Sequence, residues 1–196
     1  MWVPAGTRAS DTTTPIGNEV LVTERLLLLP VTLPMVEAVL AGDRAAVERL
    51  SGASCPEAWP GAELIHRGFG ASIEDVRADA AKRLWGDRLM ITRDSEPRVV
   101  GSVVFHGRPD DDGVAEVGYG VETSSQGMGF ATEGTRACVR WALGQPGVRS
   151  VAATTFPFHR ASLRVIEKCG MRLVETLCDP LWGERLVYAV EQSELP

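Results

Sequence analysis

The sequence predicts a single α/β domain in which helices pack on a central sheet. Segments with the periodicity of strands and segments with that of helices alternate along most of the chain. Three strand-like segments follow one another in the middle of the chain, as in an antiparallel meander. A glycine-rich turn then leads from the third of them straight into a helix-like segment. Together these observations indicate a fold that mixes both kinds of element.

The N-terminal part of the domain contains one predicted strand and two predicted helices. Apolar residues indicate a strand over 21–29, and apolar residues near helical spacing indicate a helix over 33–50. Ser72 and the acidic residue three positions later match a capping box, which predicts a second helix over about 72–85. Between these helices, residues 51–70 form an irregular stretch that is long for a simple connection, so we expect it to line a pocket.

The meander occupies the middle of the chain, and helices and strands alternate after it. Its strands are predicted over 89–93, 98–106 and 115–121, with an acidic turn over 109–113. A helix over 129–143, a strand over 150–155 and a helix over 160–169 follow, and Gly170 ends the last helix. Two closing strands are predicted over 171–177 and 185–191.

Length and composition predict one domain over residues 20–196, preceded by a flexible tail over residues 1–19. The chain has 196 residues, of which 44% are hydrophobic, which is enough for a sizeable core. No apolar run approaches the roughly 20 residues that span a bilayer, and residues 1–19 lack the basic and then apolar order of a signal peptide. The four cysteines form no Cys-x-x-Cys pair, which is typical of reduced thiols. We therefore expect a cytoplasmic protein with no membrane partner.

Charge is unevenly distributed along the chain. The formal net charge of −6 argues against general nucleic-acid binding. Residues 129–172, however, carry seven basic and two acidic side chains. This positive segment would attract a small polyanion, although an arginine-rich helix face exposed to water gives the same pattern.

The turn at residues 126–131 offers a binding site for a phosphate group. Gly127 and Gly129 would let the main chain approach an anion closely, just where a predicted helix begins. The first amides of a helix have no partner in a preceding turn and lie at the positive end of the helix dipole. A turn that only starts a helix would have the same composition, so the six residues alone leave both interpretations open.

Four segments of the sequence together carry a resemblance to a known family. Gln126, Gly129 and Ala131 match the pattern Gln or Arg, two residues, Gly, one residue, then Gly or Ala, after a predicted strand. The other segments are 23–28 (Thr-Glu-Arg-Leu-Leu-Leu), 116–119 (Glu-Val-Gly-Tyr) with 130–133 (Phe-Ala-Thr-Glu), and 161–171 (Ala-Ser-Leu-Arg-Val-Ile-Glu-Lys-Cys-Gly-Met). In this order they resemble the GNAT superfamily of acyl-coenzyme A dependent N-acyltransferases, in particular its RimJ/RimL-like branch. The resemblance covers about residues 20–191.

The resemblance implies a fold, a co-substrate and a set of cofactor-binding residues. The GNAT-type fold has a central, mostly antiparallel sheet with splayed strands and flanking helices, and acetyl-CoA would be the co-substrate. Backbone contacts to the pantetheine arm are expected at the end of the third meander strand, and the turn would bind the pyrophosphate. The expected cofactor-binding residues are Val121, Glu122, Gln126, Gly127, Met128, Gly129, Phe130, Ala131, His159, Arg160, Ser162 and Arg164.

Acyl transfer to an amine also needs a base, and the resemblance implies Glu116. Its alternative role is an ion pair with an arginine on the sheet face. Tyr119 lies three positions further on, so strand alternation places it on the opposite face, where we expect it in the core. His159 stands where relatives carry Asn; a histidine there could contact the cofactor and shuttle protons, or simply be solvated at a helix start. Ser162 is open between binding the cofactor and bonding its own helix backbone.

The remaining expectations concern metals, partners and the acceptor. His66 and His106 are far apart in sequence and lack metal-ligand spacing, and residues 110–112 are expected to form a solvated turn, so no metal is predicted. Cys138 is expected in the core. The acceptor would be a protein N-terminal α-amine or a small-molecule amine, and a homodimer is the oligomer that the branch implies. The alternative function is a catalytically silent coenzyme A sensor or interaction module.

Overall fold

The computed structural model describes residues 19–57, 73–181 and 183–194. Within these residues, eight strands form one sheet in the order β1-β2-β3-β4-β5-β6-β8-β7, in which β5 and β6 are parallel and all other neighbours are antiparallel. The strands are β1 (Leu21–Val22), β2 (Leu26–Pro30), β3 (Arg88–Thr92), β4 (Val99–Phe105), β5 (Val114–Val121), β6 (Ser150–Thr155), β7 (Arg172–Asp179) and β8 (Gly183–Glu191). The predicted mixed sheet is confirmed. Most of the predicted N-terminal tail lies outside the described residues, so the tail remains a prediction.

Helices flank this sheet. The α-helices of the described residues are α1 (Leu33–Leu40), α2 (Arg44–Ser51), α3 (Ile73–Ala78), α4 (Ala80–Arg83), α5 (Phe130–Leu143) and α6 (Arg160–Lys168). Short 3-10 helices lie at Thr123–Ser125 and Gln192–Glu194. In the described part of the chain, no helix combines the length and the apolar composition needed to cross a membrane.

The apolar run over 21–29 forms two strands, where one was predicted. β1 and β2 make an antiparallel hairpin in which Leu21 pairs with Leu28. The turn is closed by Thr23, whose backbone amide donates to the carbonyl of Leu26 and whose Oγ1 accepts from the Leu26 amide at 3.0 Å. Such a local side-chain bond stabilises a turn without glycine or proline, which is why the sequence pattern missed it.

Both helices predicted in the N-terminal part are also interrupted. The helix predicted over 33–50 breaks at Gly42, whose φ of 69° is left-handed, and Asp43 caps α2 by accepting from the Ala46 amide at 2.9 Å. The helix predicted over 72–85 breaks at Asp79, which accepts from the Lys82 amide at 3.0 Å. Ser72, with its predicted capping box, and most of the predicted pocket-lining stretch lie within residues 58–72, outside the described residues.

The two faces of the sheet bury separate sets of side chains. On one face, Leu28, Met90 and Val117 belong to the large core beneath α5. Helix α5 approaches this face closely because Gly134 has no side chain, and a Cβ there would lie 2.5 Å from Sδ of Met90. On the other face, Leu89 and Ile91 pack with residues of α1 and α2. The sheet therefore has a distinct α5 side and α1–α2 side.

The middle of the sheet opens into a V. β5 pairs with β6 at only three positions, which end at Glu116 and Ala152. Beyond this point β5 continues to Val121 along β4, while β6 continues to Thr155 along β8. The facing edges of β5 and β6 are therefore unpaired with each other over their carboxyl-terminal halves. The candidate site lies beside this opening.

Candidate active site

A cavity of about 690 Å³ lies beside the open end of β5, between the glycine-rich turn and helix α6. Nine of the twelve residues predicted to bind the cofactor line it: Val121, Gln126, Gly127, Gly129, Phe130, Ala131, His159, Ser162 and Arg164. Glu122, Met128 and Arg160 do not line it. The structure thus brings together residues from three separate parts of the sequence, and the volume is within the range of small-molecule and cofactor sites.

The turn has the backbone conformation that its glycines suggested. Gly127 and Gly129 have φ values of 77° and 87°, a region that other residues rarely adopt, and Gly129 is the N-cap residue of α5. The first intrahelical bond to this cap comes from the Glu133 amide, at 3.0 Å to the Gly129 carbonyl. The amides of Phe130 and Ala131 therefore precede the hydrogen-bonded part of the helix, beside the cavity, where an anion can accept from them.

The first hairpin braces this turn through Arg25. Nε of Arg25 donates to the Glu133 carboxylate at 2.7 Å, and Nη1 donates to the Met128 carbonyl at 2.9 Å. The guanidinium also lies 4.7 Å from the ring centroid of Phe130. Burial raises the pKa of the Glu133 carboxyl, but hydrogen bonds from Thr23 and Arg25 outweigh it and lower the pKa below its usual value. Residues 23–28 resemble a segment of a known family, but their sequence does not indicate this contact.

The three predicted residues that do not line the cavity either stabilise the turn or are exposed to solvent. Glu122 accepts from the amide and hydroxyl of Ser124 at 2.7 and 2.6 Å, and from the Ser125 hydroxyl, so it holds the 3-10 turn before the glycines. The Ser124 hydroxyl bond is the main reason why the pKa of the Glu122 carboxyl lies below its usual value. The carbonyl of Met128 is bound by Arg25, and Arg160 is exposed at the start of α6.

Basic residues stand on the α6 side of the cavity. Arg164 and Lys168 both line it, one helical turn apart on α6. Lys168 was counted in the positive segment of the sequence but was not predicted as a site residue. Its place four positions after Arg164 was the signal available in the sequence. A polyanion in the cavity would meet both charges.

Tyr119, which was expected in the core, packs against the core and also lines the cavity. Its hydroxyl donates to the Ser162 carbonyl at 3.0 Å and lies 3.0 Å from Oγ of the same residue. Burial is the main cause that raises the pKa of Tyr119 to about 12, so the phenol is protonated at neutral pH. His159 is the N-cap residue of α6 but makes no side-chain capping bond, and its exposed side chain also borders the cavity.

Glu116 lies on the face of β5 opposite the cavity, where its carboxylate has two partners. Oγ1 of Thr154 donates to Oε1 at 2.7 Å, and Nδ1 of His106 lies 3.1 Å from Oε2. The bond with His106 is the main cause that lowers the pKa of the Glu116 carboxyl, while the same bond raises the pKa of the His106 imidazole. The expected alternative role of Glu116 was an ion pair with an arginine. The basic side chain that contacts its carboxylate is that of His106. The charge of Arg185 is the smallest of the effects that lower the pKa of Glu116.

The pairing of His106 with Glu116 was not predicted. The only expectation for His106 was that it does not bind a metal. The antiparallel register of β4 and β5 brings the two residues together, and the His106 amide donates to the Glu116 carbonyl at 3.0 Å. The available signal was a histidine at the end of one meander strand and a glutamate near the start of the next.

Other reactive groups do not form a competing site in the described residues. No group of three or more His, Cys, Asp or Glu side chains there has the arrangement of a metal site. Cys138 is fully buried, and burial is the main cause that raises the pKa of its thiol to about 12. A thiol held in this way is a poor nucleophile.

Comparison with known proteins identifies the family. Residues 25–172 match the family model described as "Acetyltransferase (GNAT) domain". This match covers most of the chain, so the protein belongs to the GNAT acetyltransferase family and is an acyltransferase. The predicted family and fold are therefore confirmed.

Three relatives illustrate the similarity. An uncharacterized N-acetyltransferase of Bacillus subtilis, YjdG, is 25% identical over 151 residues, which are 77% of this chain and 88% of that protein. The solved structure of Mycobacterium smegmatis RimJ in complex with CoA-disulfide is 21% identical, with a TM-score of 0.58, over 87% of this chain and 84% of that one. The ribosomal-protein-S5-alanine acetyltransferase of Vibrio fischeri is 12% identical, with a TM-score of 0.61, over 91% and 100%. At these identities the two structures show a common fold.

Proposed function

We propose that this protein is an acetyl-CoA-dependent N-acetyltransferase that passes the acetyl group directly to a primary amine. One observation carries the proposal. The glycine-rich turn and its cavity lie on one face of β5, the Glu116 carboxylate lies on the other, and the strands separate just after Glu116 and Ala152. A thioester that enters through this opening from the cavity would reach the acceptor face beside Glu116.

The cavity suits the parts of coenzyme A. The amides of Gly129, Phe130 and Ala131 would receive the pyrophosphate at the start of α5. Arg164 and Lys168 border the cavity and would attract the remaining phosphate. The pantetheine arm would then run along the edge of β5 that is unpaired with β6, near Val121, whose carbonyl accepts from Nε2 of Gln126 at 3.1 Å. RimJ of M. smegmatis, which shares the fold, was solved with a disulfide form of coenzyme A.

The acceptor face supplies the base. An amine is protonated at neutral pH, so it must lose a proton before its nitrogen can attack a thioester. The pair of Glu116 and His106 is half exposed on this face and joins an acid and a base within hydrogen-bond distance. This arrangement is suited to accept a proton from an amine, directly or through water. A backbone amide of β5 beyond the last paired residue would stabilise the oxyanion of the intermediate.

The departing thiolate needs a proton, and Tyr119 is the candidate donor. Its hydroxyl borders the cavity and is protonated at neutral pH. Ser162 holds this hydroxyl by two contacts and fixes its position beside the cofactor space. The split of Glu116 and Tyr119 between two faces of one strand would keep the base near the amine and the acid near the sulfur.

The acceptor is proposed as a protein N-terminal α-amine or a small primary amine. The V. fischeri protein of the same fold is a ribosomal-protein-S5-alanine acetyltransferase. An α-amine has a reference pKa of roughly 8 and is therefore easier to deprotonate than a lysine side chain. The acidic balance of the chain outside residues 129–172 favours a cationic acceptor. A cytoplasmic location and a homodimeric state are part of the same proposal.

A silent coenzyme A sensor is the second candidate. It is favoured by His159, which stands where the family resemblance implies that Asn is usual and which makes no side-chain capping bond. Such a protein would bind coenzyme A at the same turn but would not transfer the acetyl group.

Acetyl-CoA turnover separates the two functions. Thiol release is measured with purified protein, acetyl-CoA and a panel of N-terminal peptides, polyamines and amino acids, while mass spectrometry detects the acetylated acceptor. Transfer to at least one amine, lost in Gly129→Glu, supports the enzyme. Coenzyme A binding without transfer to any acceptor supports the sensor instead.

A further inference from the structure

The acceptor face of β5 is bare beyond Glu116. Residues of one strand face point the same way at every second position, so Gly118 and Gly120 follow Glu116 on this face. Neither has a side chain, and a Cβ at Gly120 would meet nothing within 4 Å. This strip of partly exposed backbone runs along the part of β5 that has separated from β6, and at Gly120 it also borders the cavity. It leaves room for the acceptor amine next to Glu116.

The imidazole of His106 reaches over this strip. Its Nδ1 is bound to Glu116, so Nε2 is the ring atom available to a substrate. Nε2 lies 4.0 Å from the position that a Cβ would take at Gly118. The ring therefore points from Glu116 toward the open part of the V. Its side chain is 49% exposed, so an amine or a bridging water can reach it.

The carboxylate of Glu116 is less available than the imidazole. One of its oxygens accepts from Thr154 and the other is bound to His106. A carboxylate held in this way orients the ring, since a hydrogen bond at Nδ1 keeps the proton there and leaves the lone pair on Nε2. Resting on the proposed acetyl transfer, we propose that Nε2 of His106 is the base that takes the proton from the acceptor amine, and that Glu116 is the residue that positions it.

The acceptor amine, His106 and Tyr119 exchange protons during the transfer. The ammonium group of the acceptor gives one proton to Nε2, which yields a neutral amine and an imidazolium. The amine nitrogen attacks the thioester carbonyl carbon, so a C–N bond forms and the C–S bond breaks. The tetrahedral intermediate loses its second nitrogen proton to water, and the Tyr119 hydroxyl gives its proton to the sulfur, which departs as the thiol. The tyrosinate then takes a proton back from water. The imidazolium then releases its proton to water.

Three groups on neighbouring strands act on the His106 imidazole, directly or through Glu116. Glu116 faces His106 from β5, Thr154 bonds Glu116 from β6, and the charge of Arg185 acts on Glu116 from β8. The hydrogen bond to Glu116 raises the pKa of His106 above its ordinary 6.5. The neutral, active imidazole therefore becomes populated as the pH rises through that pKa, so kcat/KM should have an acid limb that rises above pH 6.5.

The test is the pH dependence of acetyl transfer in three forms of the chain. In Glu116→Gln the carboxylate is lost, so the acid limb should move to lower pH and turnover should fall about 10- to 100-fold. In His106→Gln this limb should vanish and turnover at pH 7 should fall about 10²- to 10⁴-fold. The limb from the acceptor amine itself remains in all forms and serves as an internal reference. Added imidazole should restore part of the turnover of His106→Ala, which a structural role would not explain.

Two outcomes overturn the assignment, and they are distinguishable. If His106→Gln keeps the limb and transfers acetyl at a rate within threefold of wild type, His106 is not the base although the proposed function stands. If wild type transfers acetyl to no amine, the proposed function and this assignment fall together. Calorimetric affinity for coenzyme A, expected to be unchanged in every variant, shows that lost turnover is not lost folding.

Discussion

Arg25 and Glu133 lie 108 positions apart in the sequence, yet Nη2 of Arg25 is 2.6 Å from Oε2 of Glu133. The pair joins the first hairpin of the sheet to the first turn of α5. Because Arg25 also binds the Met128 carbonyl, it holds the backbone on which the proposed phosphate site depends. Arg25 does not line the cavity, yet its contacts hold the turn that forms one of the cavity walls.

Removal of this brace should weaken cofactor binding without abolishing it. Arg25→Ala frees the Met128 carbonyl and removes the guanidinium from Glu133, which keeps its hydrogen bonds from the Thr23 hydroxyl and from the backbone amide of residue 25. Because the arginine is 43% exposed, we expect a modest loss of about three- to tenfold in affinity for coenzyme A. Isothermal titration calorimetry measures it. Arg77→Ala is the matched control, since Arg77 makes an exposed pair with Glu37 at 2.9 Å away from the cavity. Equal affinities in both variants would contradict the brace.

A methyl group at Gly129 should block the phosphate site. The φ of 87° makes alanine there strained by about 1–2 kcal/mol, and its Cβ would approach Nη2 of Arg25 at 3.4 Å. Gly147→Ala introduces the same strain at φ 83°, with nothing within 4 Å of the new Cβ. Both variants should lose similar stability, but only Gly129→Ala should lose affinity for coenzyme A, by about tenfold or more. A thermal shift assay and calorimetry check the two quantities, and a matching loss of affinity in Gly147→Ala would refute the role of the turn.

Tyr119→Phe should slow chemistry and spare binding. The variant keeps the ring and removes only the hydroxyl that Ser162 holds. We expect kcat to fall about 10- to 100-fold while the affinity for coenzyme A changes little. Tyr188→Phe on β8 is the control and should be neutral. Since the pKa of Tyr119 is raised to about 12, wild-type kcat should show no loss from this group up to pH 10. Full turnover in Tyr119→Phe would remove it as the proton donor.

Asp87 should make stability fall as the pH rises. Its carboxyl is buried, accepts from the Phe105 amide at 2.6 Å through Oδ1, and has no partner for Oδ2 among the described residues. Burial is the main cause that raises its pKa well above 3.8. An acid with a raised folded-state pKa stabilises the fold below the unfolded-state pKa, and this stabilisation is lost as the pH rises through the folded-state pKa.

Asp87→Asn isolates this effect because the amide can still accept from Phe105 but carries no charge. The stability of the variant relative to wild type should therefore increase as the pH rises from 4 to 8. Urea unfolding at several pH values measures the difference. A difference that stays constant with pH would show that Asp87 does not titrate in this range.

The sequence predicted the elements with strong periodicity and missed those that local bonds decide. The strands of the meander and the helices α5 and α6 were predicted near their observed bounds because their patterns are long and their ends carry glycines. The hairpin at Thr23 and the break at Asp79 depend on single side-chain bonds to the backbone. Apolar patterns do not report such bonds, so both were read as continuous elements.

The candidate site divides in the same way. The glycine turn is local in sequence, and most of its predicted residues line the cavity. The His106–Glu116 pair depends on the register of two strands, which the length and shape of the intervening turn determine. Strand alternation placed Tyr119 and Glu116 on opposite faces of β5. It could not show whether Tyr119 lies in the core or lines a cavity, because α6 both packs on the core and borders the cavity.

The central claim is that acetyl-CoA occupies the cavity beside β5 and reaches the acceptor face through the opening after Glu116. NMR titration of isotope-labelled protein with acetyl-CoA tests it most directly. We predict large amide shifts at residues 127–132 and at Gly120 and Val121, with a further shift at the His106 imidazole and none at Leu27 on β2. Shifts confined to other surfaces, or no change at the glycine turn at saturating acetyl-CoA, would contradict the account.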